Sequence, residues 1–281
     1  MRAVEITRET NNNGAFSLYA IGDLHSDRKE FNEARFKAYR AHIIKDPRAV
    51  AIFVGDAMEG RTPGMKHFDA GAVRSEFLNN LDSYVKMSLA FNERLLKPIV
   101  DAGVPLVVVE GNHDRYQEYT GYAAMLADRV GAHFLADEGF VRIRTGLPAS
   151  KTKRERGGFY TTVVYATHGH GGGRRPGGKV NEMQSTMEWV DADVIVKGHV
   201  HDGAIRVIHR YGVKRSGGID IVKTPVALYR APSFVERAML GVSNYAGRLG
   251  YPATDDGLQY LTLDPHYRTV QRHELPFASA A

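Results

Sequence analysis

Five short motifs in the sequence contain residue types that commonly bind metal ions or take part in hydrolysis. Each motif directly follows, or ends, an apolar run: DLH (23–25), GD (55–56), GNHD (111–114), THGH (167–170) and GHVH (198–201). Aspartate, asparagine and histidine supply the oxygen and nitrogen ligands that divalent transition metals accept. A single histidine after a strand is ordinarily a surface residue, whereas five such motifs in one chain indicate a metal centre.

The apolar runs before these motifs predict buried strands. They lie at 16–22, 49–55, 104–111, 160–169 and 193–198. Segments with helical periodicity lie between or after them, at 29–45, 75–100, near 119–130 and at 181–191. Strands that alternate with helices predict an α/β fold, in which the loops after the carboxyl ends of strands meet in one crevice. Motifs that are far apart in sequence are therefore expected to form one site.

Two pairs of candidate ligands are each separated by one residue, namely Asp23 with His25 and His199 with His201. On an extended strand end, this spacing directs both side chains to the same side. The two pairs are therefore expected to hold a metal ion from opposite directions.

The last third of the chain is rich in predicted strands. After a strand near 134–146, further strands are predicted within 204–215, 220–231 and 257–275, and together they favour antiparallel sheet. The sequence contains no internal repeat and no proline-rich linker. Residues 1–281 are therefore predicted to form a single domain.

The composition limits the location and the partners. The 281 residues include no cysteine, which excludes disulfides and thiolate metal sites and suits the cytoplasm. The N-terminus is polar and no apolar run approaches about 20 residues, so neither secretion nor membrane insertion is expected. A net charge of +5 and a pI near 9.3 favour an anionic partner such as nucleic acid, a nucleotide or a phosphorylated substrate.

The five motifs, in this order and spacing over residues 23–201, resemble the calcineurin-like metallophosphoesterase superfamily. A narrower resemblance, to a branch found in bacteriophages and prophages, is carried by 167–183, by a GHVHD block and by NYAGRLGYP. The resemblance implies a four-layer α/β/β/α sandwich of two mixed sheets flanked by helices. The C-terminal strands within 204–275 would complete the second sheet.

The resemblance also implies two divalent metal ions and a bridging hydroxide that attacks the phosphate ester. Manganese is the first choice of metal, with iron, zinc or nickel as alternatives. Asp56 would bridge the two ions. One ion would bind Asp23, His25 and His201, and the other would bind Asn112, His168 and His199.

His113 matches the catalytic histidine of the superfamily, which would donate a proton to the leaving oxygen, and Asp114 is grouped with it as catalytic. Glu59 stands where the protein phosphatases of the superfamily have an aspartate that orients this histidine. Arg61 lies one position later than the arginine of those phosphatases, which argues against a protein phosphatase. Arg115 is expected either to bind a substrate phosphate or to be a surface arginine.

Residues 173–179, GRRPGGK, fit the pattern of a phosphate-binding P-loop, but Val180 stands where that loop needs serine or threonine. The histidines that precede it favour the metal interpretation. His170 is expected to support His168 or to face the substrate. A flexible basic loop would close over an anionic substrate with Arg174, Arg175 and Lys179, the alternative being a mobile surface loop.

The sequence therefore predicts a cytoplasmic, metal-dependent phosphoesterase, located in the host cytoplasm if it is encoded by a phage. A phosphodiesterase or nuclease that acts on nucleic acid or a nucleotide is favoured by the basic charge. A small-molecule phosphomonoesterase is the alternative. A non-catalytic scaffold with a decayed metal site ranks lower, because every motif ligand is present.

Overall fold

The structure of the protein is a computed structural model. It describes residues 1–10, 14–66, 68–79, 83–115, 121–147, 158–171, 176–213, 219–236 and 257–275. The strands in these residues are β1 (Arg2–Glu9), β2 (Phe16–Ile21), β3 (Ala49–Phe53), β4 (Leu106–Val108), β5 (His133–Phe134), β6 (Glu138–Leu147), β7 (Gly158–Thr167), β8 (Val194–Lys197), β9 (Ala204–Val213), β10 (Ile221–Arg230), β11 (Leu258–Asp264) and β12 (Thr269–Leu275). The helices are α1 (Glu33–Lys45), α2 (Ser75–Leu78), α3 (Tyr84–Asp101), α4 (Tyr122–Val130) and α5 (Pro176–Thr186).

The strands form two six-stranded mixed sheets. The first sheet has the order β12-β11-β2-β3-β4-β5, and the second has the order β1-β6-β7-β8-β10-β9. Strands β2 to β5 are parallel to one another, and β8 is parallel to β7 and β10. The predicted α/β sandwich of two mixed sheets flanked by helices is confirmed.

The apolar core lies in layers on both faces of the two sheets. Between the sheets, Leu18, Val50 and Val107 of the first sheet are buried in one cluster with Val164 and Val194 of the second. The outer face of the first sheet packs against α1, α3 and α4, and that of the second packs against α5. Because β2, β3 and β8 are buried along their whole length, they read as continuous apolar runs rather than as alternating patterns.

Three of the predicted helical segments have other boundaries in the structure. Helix α1 begins at Glu33 because the side chain of Asn32 caps it, accepting a hydrogen bond from the Arg35 N–H at 2.8 Å. The segment 75–100 forms two helices, α2 and α3, rather than one. Helix α5 begins at Pro176, a residue type that suits the first turn of a helix. Lys179 therefore lies in a helix, and the prediction that placed it in a flexible loop was wrong.

The four C-terminal strands divide between the two sheets. Strands β9 and β10 complete the second sheet, as expected, but β11 and β12 extend the first sheet. Strand β11 pairs antiparallel with β2, with Leu261 opposite Leu18. The strand that precedes the DLH motif therefore has a neighbour on each side.

Candidate metal centre

The loops that follow five strands meet at one end of the two sheets. His25 Nε2 and His201 Nε2, for example, lie 3.2 Å apart although the two residues are 176 positions apart in sequence. His168 Nε2 lies 2.9 Å from Asn112 Oδ1, which joins the loop after β7 to the loop after β4. The structure thus brings all the predicted metal ligands together: Asp23, His25, Asp56, Asn112, His168, His199 and His201.

Four potential ligand atoms converge in one group. His168 Nε2 lies 3.1 Å from Asp56 Oδ2 and 2.9 Å from Asn112 Oδ1. His199 Nδ1 lies 2.8 Å from Asn112 Oδ1 and 3.2 Å from His168 Nε2. Ligands that bind a cation at about 2.1 Å and at right angles are about 3 Å apart. The spacing of this group therefore fits a metal ion.

A second group lies beside the first. His201 Nε2 is 3.4 Å from Asp23 Oδ1 and 3.2 Å from His25 Nε2. The Oδ2 atom of Asp56 lies 3.7 Å from His25 Nε2 and 3.1 Å from His168 Nε2, so one carboxylate oxygen faces both groups. Two divalent ions that share Asp56 fit this set of donor atoms.

Two of the histidines are oriented by the ring nitrogen that faces away from the ligand groups. His168 Nδ1 donates a hydrogen bond to the carbonyl oxygen of Val54 at 2.6 Å. His25 Nδ1 lies 3.0 Å from Glu59 Oε2. Because each Nδ1 has this partner, Nε2 of both rings is directed towards the groups.

The buried carboxylates change the proton affinity of the histidines. Burial lowers the pKa of His25, but the carboxylates of Glu59 and Asp56 outweigh burial and raise this pKa to about 9. Burial likewise lowers the pKa of His168, and Asp56 raises it to about 9. For His199, burial and the charge of His168 lower the pKa to about 4. Without cations, imidazolium protons thus balance the buried negative charge at neutral pH.

Five of the candidate ligands have a left-handed backbone conformation. Their φ angles are 49° at Asp23, 42° at His25, 56° at Asp56, 71° at His199 and 53° at His201. Such a conformation costs a non-glycine residue about 1 kcal/mol or more, and it occurs most often at functional sites. The prediction that the two ligand pairs extend from their strands was therefore wrong in its geometry. Asp23 and His25 face one group, whereas His201 faces that same group and His199 faces the other.

Two glycines allow the GD and GNHD loops to approach each other closely. Gly55 has a φ of 90°, and a Cβ atom at this residue would lie 2.3 Å from the Gly111 nitrogen. A Cβ atom at Gly111 would lie 2.1 Å from Asp56 Oδ1. Both distances are too short for a side chain, so the position of Asp56 depends on this backbone contact.

His113 lies beside the ligand groups and is oriented by the main chain. Its backbone N–H donates to Asp56 Oδ1 at 2.9 Å, and its Nδ1 donates to the carbonyl oxygen of Glu59 at 2.8 Å. The Glu59 carboxylate is farther from this nitrogen, at 3.8 Å, and lies instead 3.0 Å from His25 Nδ1 and 3.0 Å from Arg61 Nε. The carbonyl oxygen of Glu59, rather than its carboxylate, orients His113.

Asp114 does not face the ligand groups. It is fully buried, and its carboxylate accepts the N–H groups of Asp56 at 2.9 Å, Ala57 at 3.2 Å and Gly111 at 2.9 Å. Burial raises the pKa of this carboxyl to about 7. These contacts hold the two motif loops together, and the grouping of Asp114 with His113 as catalytic stays a prediction.

A model of the Calcineurin-like phosphoesterase family matches residues 16–203. The chain belongs to the calcineurin-like phosphoesterase family. Enzymes of this family hydrolyse phosphate esters, and the ligand groups described above are those of a metal-dependent phosphoesterase.

The phosphoesterase has structural matches at low sequence identity. No curated protein matches the chain. Among solved structures 31 chains match. One is a crystal structure with 13% sequence identity and a TM-score of 0.41, and the match covers 92% of this chain and 99% of that chain. Within the described part of the phosphoesterase, no helix combines the length and apolar character needed to cross a membrane.

The predicted substrate-binding residues of the phosphoesterase lie at the edge of the site or outside the described residues. Arg115 Nε is 3.2 Å from Glu110 Oε2, and its Nη2 pairs with Asp137, so two carboxylates hold this guanidinium. His170 is exposed, two residues after His168. Lys179 lies in α5, while Arg174 and Arg175 fall outside the described residues. Contact of these residues with the substrate stays a prediction.

Sequence reasoning missed Asp27. This residue is fully buried, and its carboxylate accepts the N–H groups of Glu59 and Gly60 and the hydroxyl of Tyr84. The second aspartate in DLHSD, four residues after Asp23, was the only signal in the sequence.

Metal binding to the phosphoesterase is expected to release protons near pH 7. His25 and His168, with pKa values of about 9 in the absence of cations, must lose their protons to bind a metal ion. Affinity for Mn²⁺ should therefore rise as the pH approaches 9 and fall as the pH decreases. Calorimetric titration of chelator-treated protein at pH 7, in two buffers of different ionisation enthalpy, measures the release. Equal heats in both buffers would contradict the prediction.

Replacement of Glu59 by glutamine is expected to weaken metal binding about 10- to 100-fold. The carboxylate next to His25 Nδ1 fixes the ring and makes Nε2 a stronger metal ligand, and a neutral amide does this less well. Orientation of His113 should persist, since the carbonyl of residue 59 remains. The measurement is Mn²⁺ affinity by calorimetry. A matched control is Glu93→Gln, which removes an ion pair with Arg129 at 3.2 Å. If Glu59→Gln and the control bind Mn²⁺ equally well, the carboxylate has no role at the site.

Proposed function

We propose that this phosphoesterase is a dinuclear phosphodiesterase or nuclease that acts on nucleic acid or a nucleotide. The observation that carries the dinuclear part is the position of Asp56, whose Oδ2 lies 3.1 Å from His168 Nε2 and 3.7 Å from His25 Nε2. A shared carboxylate of this kind is typical of sites that hold two cations. The basic charge of the chain supports the choice of a polyanionic substrate.

Two divalent cations, with manganese as our first choice, would polarise the phosphoryl oxygens and lower the pKa of the attacking water. Asp56 would be shared between them. The remaining ligands would be Asp23, His25 and His201 for one ion, and Asn112, His168 and His199 for the other. The carbonyl of Val54 orients His168 and the carboxylate of Glu59 orients His25, so that Nε2 of each ring is available to a metal ion.

His113 would donate a proton to the leaving oxygen of the ester. Its Nδ1 is bound to the Glu59 carbonyl, so Nε2 is the nitrogen that would face the substrate. The ring lies 4.9 Å from the ring of His25, at an angle of 82°. Its side chain is 12% exposed, so a small part of the ring is open to solvent. A general acid in such a position contributes about 10²- to 10⁴-fold to the rate.

A small-molecule phosphomonoesterase is the second candidate. The same ligand groups would serve a monoester, and the described residues contain only the two-sheet sandwich, without a separate capping domain that would bind DNA. Intact ligand groups make a non-catalytic scaffold the weakest of the three candidates.

The extent of the domain and the cellular location of the protein are also proposals. We propose that residues 1–281 form one domain, because β11 near the C-terminus pairs with β2 near the N-terminus. The absence of cysteine supports a cytoplasmic location. The narrower resemblance to a phage-type branch stays a prediction.

Protein stripped with chelator and reloaded with Mn²⁺ is expected to hydrolyse bis(p-nitrophenyl) phosphate faster than p-nitrophenyl phosphate. Asp56→Asn should lose both metal ions and activity, because the shared negative charge is removed. His113→Ala should keep two metal ions and lose turnover by about 10²-fold or more. Asp101→Asn, a surface variant, is the control. Faster monoester cleavage would favour the second candidate, and metal-loaded protein inactive on both esters would count against the proposal.

Replacement of Arg174 and Arg175 by alanine is expected to raise KM for a single-stranded oligonucleotide at least about tenfold and to reduce the dependence of KM on salt, because two phosphate contacts are lost. Steady-state kinetics at several salt concentrations measures both effects. The control with equal loss of charge is Arg142→Ala with Arg144→Ala, two residues that pair with Glu5. If both double variants change KM equally, the effect belongs to net charge and the loop has no specific role.

A further inference from the structure

Asp27 is a buried carboxylate close to the site, and it has no role in the reaction proposed above. It lies two residues after His25 and is 0% exposed. Its Oδ1 accepts the N–H of Glu59 at 2.6 Å, and its Oδ2 accepts the N–H of Gly60 at 3.3 Å. The carboxylate thus binds two consecutive backbone N–H groups of the loop after β3.

Tyr84 supplies a third hydrogen bond to this carboxylate. It is the first residue of α3 and is 1% exposed, and its hydroxyl donates to Asp27 Oδ2. Hydrogen bonds to a carboxylate are stronger than those between neutral groups, and burial strengthens them further. Asp27 therefore connects α3 firmly to the loop that contains Glu59.

The peptide unit that Asp27 holds is the one that orients His113. This unit contains the carbonyl of Glu59 and the N–H of Gly60. Because a trans peptide is planar, its N–H and C=O point in opposite directions, and fixing one fixes the other. The N–H donates to Asp27, while the carbonyl accepts the Nδ1 proton of His113 at 2.8 Å.

We propose that Asp27, supported by Tyr84, is a positioning residue for His113 and acts through the Glu59–Gly60 peptide. The inference rests on the proposed function, in which His113 is the proton donor. Without the carboxylate, the peptide is free to rotate, and the Nε2 atom of His113 no longer has a fixed direction towards the leaving oxygen. Metal ligands are not part of this connection, so metal content should not change.

A second tyrosine–aspartate pair, in which the tyrosine is buried and the aspartate is partly exposed, provides a control. Tyr19 donates its hydroxyl to Asp46 Oδ2 at 2.9 Å, and Asp46 Oδ1 accepts the N–H of Arg48 at 2.9 Å. Asp46 directly follows α1 and precedes β3, so this pair lies at the opposite end of the parallel strands from the metal centre. Loss of this hydrogen bond should lower stability without any effect on the orientation of His113.

The test compares two diesters that differ only in the leaving group, methyl p-nitrophenyl phosphate and methyl phenyl phosphate. Phenolate is the poorer leaving group and depends more on protonation. Asp27→Asn and Tyr84→Phe are each expected to lower kcat on the phenyl ester at least about tenfold more than on the p-nitrophenyl ester. Both variants should keep two Mn²⁺ ions per chain and an unchanged KM. Asp46→Asn and Tyr19→Phe should lower kcat on both esters equally, if at all.

A double-mutant cycle separates positioning from stability. In a His113→Ala background, Asp27→Asn should leave the ratio of the two kcat values unchanged, because the residue through which it acts is absent. The proposal is overturned if Asp27→Asn and Tyr84→Phe lower both rates equally, or if the ratio changes without His113. Tyr84→Phe keeps the carboxylate, so it decides the matter if Asp27→Asn does not fold.

The wild-type protein shows whether a failure lies with this inference or with the proposed function. If wild-type turnover on these diesters is absent or does not require His113, the proposed function fails. If wild-type turnover requires His113 but neither variant changes the ratio, only the role of Asp27 fails. Glu59→Gln retains the carbonyl and should leave the ratio as in the wild type.

Discussion

The buried carboxylate of Asp56 is the group on which the rest of the site depends. Its Oδ2 atom faces both ligand groups, and its Oδ1 atom accepts the N–H of His113. Its backbone N–H is held by Asp114, and its carbonyl accepts the N–H groups of Leu24 and His25. The DLH, GD and GNHD motifs are therefore fixed to one another through a single residue, and the two sheets serve mainly to bring the other loops to it.

The sequence was sufficient to predict the strands before the motifs and the meeting of those motifs at one site. Both follow from local features, since buried runs predict strands and parallel strands end together. The local conformation at the site was not predictable in the same way. Residue types indicated that Asp23 and His25 act as a pair, but not that both have left-handed backbones. For Glu59, the sequence drew attention to the carboxylate, whereas the contact with His113 is made by a carbonyl that every residue type possesses.

Long-range order was harder to predict than local order. The periodicity of 257–275 predicts antiparallel strands but contains no information on which sheet they extend, and β11 pairs with β2 at the other end of the chain. The start of α5 was missed because glycines normally indicate a loop, whereas Pro176 begins a helix that includes Gly177 and Gly178. Packing of α5 against the second sheet, through Met183, outweighs this local preference.

Two imidazoles of the site are held by main-chain oxygens, those of Val54 and Glu59. Such oxygens are present whatever side chain occupies the position, so substitution at either residue leaves the acceptor in place. The orientation of His168 and His113 is thus protected against most point mutations during evolution. A mutational scan of the chain would in turn report these contacts only indirectly, through distant residues that shape the path of the backbone.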